Sequence, residues 1–340
     1  MLRKLARLTR PVPAAGPRAL AIAIYSDPPG DLVTAPGEGV ACVDDAARAI
    51  DLLAAVWLAT GAQRIREWAG GLLDFVLWMH QGDGVWLNFI SSWSGELNLR
   101  GATSVPGINF WQARAVGAAV TGALILGDAR ALPIAELGLA AAAASTAPSD
   151  VRSLHVLAQQ RLLVAGSAGG GARVRLKQWA DEIAATRIGD TLMNSLAESG
   201  SPHLWGHFQE AALAAAAAAL DRPALTAVAE ASAMAFFAPV IESSFDLPRV
   251  QPYDVRSAVC AMDALAAATG QLRYQQLAAL GREWFHGRNP ARSPVYDRAS
   301  GAVADGIDGA VVSSNSGAES NVEGGLALLQ EAIASASLAL

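Results

Sequence analysis

Apolar residues return at helical spacing in one segment after another along this chain, and strand-like alternation is nearly absent. The pattern predicts helices at roughly 44–60, 63–80, 111–126, 131–145, 149–165, 172–186, 204–220, 222–237, 254–268, 271–287 and 319–335. A short helix near 16–25 completes a set of about twelve, or six helical hairpins. Alternation appears only at 295–304, where Ser300-Gly301 would turn a small hairpin. The alanine runs at 140–144 and 214–219 read as helix, because alanine has the highest helix propensity and lets helices approach closely. From Gln251 to Gly325 two helices run back to back, then a long loop rich in Asp, Asn and Gly precedes the next helix. This organisation suits an all-α fold, a six-hairpin α/α toroid with long cleft-forming loops, as one domain over 1–340. Function is then expected at a polar cleft on one rim.

Hydrophobic residues make up 52% of the chain and charged residues only 16%, enough for a large core. A formal net charge of -6 and a pI near 5.4 argue against a nucleic-acid surface. Cys42 and Cys260 both lie among apolar residues, which suits small core residues in a reducing, cytoplasmic setting rather than a disulfide framework. No apolar run is read as reaching the roughly 20 residues that span a bilayer. The basic start, Met1-Leu2-Arg3-Lys4, is followed by Pro11, Pro13 and Pro17, which interrupt what would be the apolar part of a secretion signal.

A faint internal repeat singles out two acids. Asp45 lies sixteen residues before Gly61 of Ala59-Thr60-Gly61, and Asp254 lies sixteen residues before Gly270 of Ala268-Thr269-Gly270. Each Asp opens an apolar helix and each Thr-Gly ends it, glycine suiting the left-handed position that follows a helix. In a ring of hairpins the two acids would share one rim. Asp44 stands beside Asp45, and either could simply serve a helix start. A neighbouring like charge would also raise one pKa, as an acid catalyst needs. Glu319 follows the small, polar approach Asn315-Ser316-Gly317-Ala318 at another helix start. Asp297 and Asp305 read as turn residues.

Trp86 and Trp93 lie beside Asn88, Ser91, Ser92 and Ser94, and a tryptophan in a polar loop suggests a platform for a sugar ring. Asn88, Asn109, Gln112 and Arg114 would supply hydrogen bonds to hydroxyls. Trp205, His207 and Tyr296 complete the expected sugar-binding set. His203, His207 and Glu210 fall at i, i+4 and i+7, which would strain the third ligand of a metal site, so no metal and no other cofactor is expected. There is no Gly-rich phosphate loop after a strand and no nucleophile elbow.

Taken in order, Cys42-Val43-Asp44-Asp45-Ala46-Ala47-Arg48-Ala49, Trp86-Leu87-Asn88-Phe89, Gln251-Pro252, Trp284-Phe285-His286-Gly287-Arg288-Asn289, Tyr296-Asp297, Asp305-Gly306 and Asn315-Ser316-Gly317-Ala318-Glu319-Ser320 carry a resemblance. Together they resemble the helical domain found alone or fused to bacterial glycosyltransferases, which is similar to the six-hairpin glycosidase superfamily. The resemblance covers roughly 38–125 and 250–330 and does not extend to 127–200. It departs from the family at two places. Asn109-Phe110-Trp111 stands where members carry a Ser-Glu-Asp, and His203-Leu204-Trp205-Gly206-His207 stands where they carry Tyr-Asp-Asn-Ala-Arg.

The expectation is a glycoside hydrolase acting on an oligosaccharide through carboxylate acid/base catalysis. Asp44, Asp45, Asp254 and Glu319 are the catalytic candidates, with Glu319 as acid and Asp45 or Asp254 as base. The two missing acids keep open a non-catalytic saccharide-binding or scaffold domain that partners a glycosyltransferase. A sugar epimerase or isomerase, with His203 and His207 as proton carriers, is the third reading.

Overall fold

The computed structural model describes all residues except 28–29, 196, 198–199, 201 and 340, with side chains described to 336. Among the described residues there are thirteen α-helices: α1 (Leu2–Leu8), α2 (Val43–Thr60), α3 (Gln63–Trp78), α4 (Phe110–Thr121), α5 (Ala131–Ala143), α6 (Ser149–Val164), α7 (Ala172–Ala184), α8 (Gln209–Leu220), α9 (Pro223–Glu242), α10 (Pro252–Thr269), α11 (Leu272–Arg282), α12 (Ala318–Ala327) and α13 (Leu329–Ala339). The strands are two or three residues long and pair into small ribbons. The ribbon foreseen at 295–304 is present, Tyr296–Asp297 pairing antiparallel with Ala302–Val303. The chain divides into two compact units.

The first unit comprises Met1–Ala144, Tyr296–Gly306 and Val312–Leu340. Its central element is α2, which packs against α3, α4, α12 and α13. Eleven of the eighteen residues of α2 are buried, so the helix has almost no solvent face. Small residues permit this crowding. A Cβ on Gly325 of α12 would lie 2.6 Å from the end of the Leu52 side chain, so a larger residue there would force Leu52 to shift. Gly61 ends α2 at φ 66°, as the Thr-Gly signal implied.

The second unit comprises Ser145–Val295 and Ile307–Val311. Here α8 is central and packs on α6, α7, α9 and α10. Its alanine run supplies the close contacts, with Ala211, Ala212, Ala214, Ala216 and Ala217 all buried. Hairpins α6/α7, α8/α9 and α10/α11 form this unit, as α2/α3 and α4/α5 form most of the first.

Four boundaries differ from the sequence reading. Residues 16–25 are not helical. Leu20–Ile22 pairs with Thr9–Pro11 instead, and the helix of this region is Leu2–Leu8, which ends before Pro11 and Pro13. The segment 319–335 is two helices, broken at Leu328, whose φ of -103° and ψ of 42° are not helical. Helix α8 begins at Gln209, not 204, so His203, His207 and Glu210 do not form one helical face. Helix α9 runs to Glu242, past the expected 237, and at 20 residues is apolar enough to cross a bilayer by length and composition. It packs against α8, α10 and α11.

Asp254 sits at the third position of α10, where its carboxylate accepts from the Gln251 backbone N–H at 2.8 Å and closes a capping box. Replacing it with alanine is expected to cost about 1 kcal/mol of stability. A urea denaturation in which Asp254→Ala matches the wild type would show that this carboxylate does not hold the helix end.

Candidate functional site

The site grows out of the start of α2. Ala41–Cys42 pairs with Phe89–Ile90, and the chain then turns into the helix. The Asn88 side chain accepts the Asp44 backbone N–H at 3.1 Å, and the Cys42 sulfur accepts that of Asp45 at 3.4 Å. Asp45 and Asp254 therefore occupy the same third position of their helices, yet behave differently. Asp254 caps its own helix, whereas a cysteine does the capping in α2 and the Asp45 carboxylate is diverted inward.

That carboxylate meets Arg48, one turn further along α2. The Arg48 guanidinium bonds Asp45 Oδ1 at 2.6 Å and Asp44 Oδ2 at 3.0 Å through one nitrogen, and Glu319 and Glu323, both at 2.7 Å, through another. The two glutamates stand one turn apart on α12. The start of that helix is fixed by Asp305, whose Oδ1 accepts the Gly317 backbone N–H at 2.7 Å and the Ser320 hydroxyl at 2.8 Å. Arg114 of α4 completes the group with an ion pair to Asp44, its guanidinium lying over the Phe110 ring. Asp45, Glu323 and Arg48 are buried, while Asp44 is partly open and the Glu319 side chain is 40% exposed.

Four carboxylates against two guanidinium groups leave the cluster short of positive charge. Burial pushes the Asp45 carboxyl up to about 7; Arg48 opposes this, and the charges of Glu319 and Asp44 add to the rise. Burial also acts to raise Asp44, but Arg114 and Arg48 outweigh it and hold that group below the usual carboxylate range. Adjacent aspartates are thus driven apart, one retaining a proton near neutral pH and one staying ionised. Asp44, Asp45 and Glu319 offer oxygens within 4.8 Å of one another, a donor set of the kind that contacts a cation. Arg48 already bonds an oxygen of each, so a fixed cation supplies much of the charge a metal would bring.

The expected sugar-binding residues separate into groups. Trp86 is a core residue: it has no exposed surface, and its indole N–H donates to the Val76 carbonyl at 2.9 Å. The polar neighbours of Trp86 in sequence hid this, because its ring turns inward beneath α5, where a Cβ on Gly138 would touch it. Asn88 is buried, and its amide donates to the Thr103 carbonyl while holding the start of α2, so it positions Asp44. Asn109 caps α4 by accepting the Gln112 N–H at 3.1 Å. Trp93 is half-buried in its loop. Tyr296 is 6% exposed and lies in the small ribbon. Asp297 accepts the backbone N–H groups of Ala299 and Ser300, a turn role.

In the second unit, His207 is fully buried between the Asn194 amide at 3.2 Å and Glu210 at 3.1 Å, so it holds the core rather than a ligand. Trp205 is 41% exposed and stacks on the His203 ring at 4.2 Å, and His203 faces Asp150 at 3.5 Å. Sequence reading passed over Arg48, Glu323 and Tyr25. The four-residue spacings Asp44–Arg48 and Glu319–Glu323 were the available signal, since such pairs share a helix face.

No protein-family model and no curated protein matches the chain. Solved structures do. A D-mannose isomerase aligns with a TM-score of 0.69 at 12% identity over 97% of this chain and 96% of its own. A sugar epimerase from a ruminal bacterium aligns at 0.68 and 12% over 93% and 92%. The cellulase Cel9M of C. cellulolyticum aligns at 0.60 and 9% over 98% and 96%. At these identities the likeness is one of fold. The fold is all-α, of the α/α toroid class.

Two outcomes test the cluster. Arg48→Met would leave buried carboxylates without their cation and is expected to cost about 3 kcal/mol or more in denaturant unfolding. A loss under about 1 kcal/mol, the ordinary value for a surface pair, would contradict the burial described here. The second outcome concerns pH. The folded protein holds the Asp45 proton more tightly than an unfolded aspartate, whose pKa is near 3.8. The resulting stabilisation is full below that value and is lost as pH rises through about 7. The stability of the wild type minus that of Asp45→Asn should fall across this window, and a flat difference would count against a raised Asp45.

Proposed function

We propose that this protein acts on a saccharide, moving a proton at the sugar through the Asp44–Asp45–Arg48–Glu319 cluster, and that it does so as a glycoside hydrolase. One observation carries the reading: neighbouring carboxyls are gathered around one guanidinium and driven to opposite protonation states, which is how acid and base roles are separated at pH 7. Glu319 is the member facing solvent. Its charge is among those that raise the Asp45 carboxyl, and in this reading the Asp45 proton passes by way of the outer carboxyl to a glycosidic oxygen. Asp44, ionised and fixed by two arginines, supplies negative charge for a developing oxocarbenium ion. The fold supports this reading because its solved relatives are sugar enzymes, both hydrolases and isomerases.

A second reading, sugar epimerisation or isomerisation, has its own observation. His203, held between Asp150 and the exposed Trp205, is an imidazole placed beside an aromatic surface. Incubation with a library of gluco- and manno-configured glycosides, followed by product analysis, separates the two. Shortened chains support hydrolysis, and an isomer of unchanged mass supports the second reading. In the hydrolytic case Glu319→Gln should lower turnover by about 10²-fold, the usual contribution of acid–base catalysis, with an unchanged melting temperature. Full activity in that variant would remove Glu319 from the chemistry.

A further inference from the structure

A cavity of about 480 Å³ opens in the loops of the first unit, within the ~300–1,000 Å³ usual for ligand pockets. It lies between residues 34–39 and 91–101, with Thr34, Glu38, Ser91, Asn98 and Arg100 among its lining. Its walls are built rather than loose. The Asn98 amide donates to the carbonyls of Gly37 and Glu38, and its oxygen accepts the N–H groups of Arg100 and Gly101. The floor is Gly39, where a Cβ would lie 2.1 Å from the Ile90 carbonyl oxygen. Asn98 is therefore consumed as a clamp; Glu38 accepts the Thr103 hydroxyl at 3.3 Å through one oxygen, and its other oxygen, with Arg100, Ser91 and Thr34, is left to meet a ligand.

Tyr25 connects this cavity to the carboxylate cluster. It is 43% exposed and pairs with Val33, next to Thr34. Its neighbour Ile24 donates to the Val40 carbonyl, beside Gly39, and accepts the Ala318 N–H, beside Glu319. Ile24, Cys42 and Phe89 form one buried apolar cluster beneath these segments. The strand pairing of Tyr25 with Val33 and the two backbone bonds of Ile24 set it between the segment that lines the cavity and the start of α12, and burial first, then the charges of Glu38, Asp45 and Glu319, push its phenol up to about 12. It stays protonated, as a ring face with a hydroxyl donor.

We propose that the cavity beside Tyr25 is an accessory saccharide subsite, so that the substrate is an oligosaccharide spanning the carboxylate cluster and this pocket. The proposal rests on the saccharide reading above. A rim with an aromatic face, a guanidinium donor, a carboxylate acceptor and two hydroxyls matches the alternating donors, acceptors and apolar faces of a pyranose. Arg100 forms no ion pair among the described residues, which leaves its donors available.

The test is calorimetric titration of cello- and manno-oligosaccharides, from monosaccharide to pentasaccharide, into the wild type, Tyr25→Ala and Arg100→Ala. Affinity in the wild type should rise with length, and each variant should cut the gain for the longest chains by about three- to tenfold, as loss of one good contact does. Ser91→Trp, which fills the cavity from the opposite wall, should cut it as well. A wild type whose affinity ignores length, or variants that keep the wild-type gain, would overturn the subsite and leave the carboxylate site standing. A wild type that binds no oligosaccharide at any length and turns over nothing in the glycan library would remove the functional reading together with the subsite.

Discussion

The first unit is organised around one buried cation. Arg48 is covered by α2, α12 and the loop residues at their starts, and it bonds four carboxylates from two helices. Taking a guanidinium out of water costs several kcal/mol unless its donors are satisfied, and here carboxylate oxygens and the Asp44 carbonyl satisfy them. The same bonds fix the register of α12 on α2, because Glu319 and Glu323 must reach one guanidinium from successive turns. Glycine at 325 lets the helices close to that distance. Packing and electrostatics therefore specify the same arrangement of the two helices.

The arrangement has a chemical consequence. A cluster with more carboxylates than cations favours keeping a proton, and burial with the charges of Glu319 and Asp44 raises the Asp45 carboxyl to about 7. Asp44, one residue away, is secured in the ionised state by Arg114 from α4. Three helices thus contribute to one charged cluster that opens to solvent at Glu319. In the second unit Trp205 and His203 form an aromatic and imidazole pair, stacked at 4.2 Å.

Much of this was legible in the residues. Helical spacing located eleven of the segments, since buried faces impose a 3.6-residue period whatever the neighbours are. The matched Asp-to-Gly distances marked two helices with equivalent starts and left-handed ends, and both ends are so. What the sequence could not show was where each side chain turns. Asp45 and Asp254 share a position, but only a partner on another helix makes one of them a buried acid and leaves the other a cap. Trp86 sits among polar residues in the chain and among apolar ones in space. The pull of Arg48 on Glu319, from 271 residues away, is a tertiary contact that no local pattern encodes.

The most direct test of the account is a carbon-13 NMR titration of the Asp45 carboxyl in the intact protein, alone and in Glu319→Gln. The midpoint should lie near 7 in the wild type and fall when the Glu319 charge is removed. A midpoint in the ordinary aspartate range, about 4, and insensitive to Glu319 would mean that the cluster holds no proton to give.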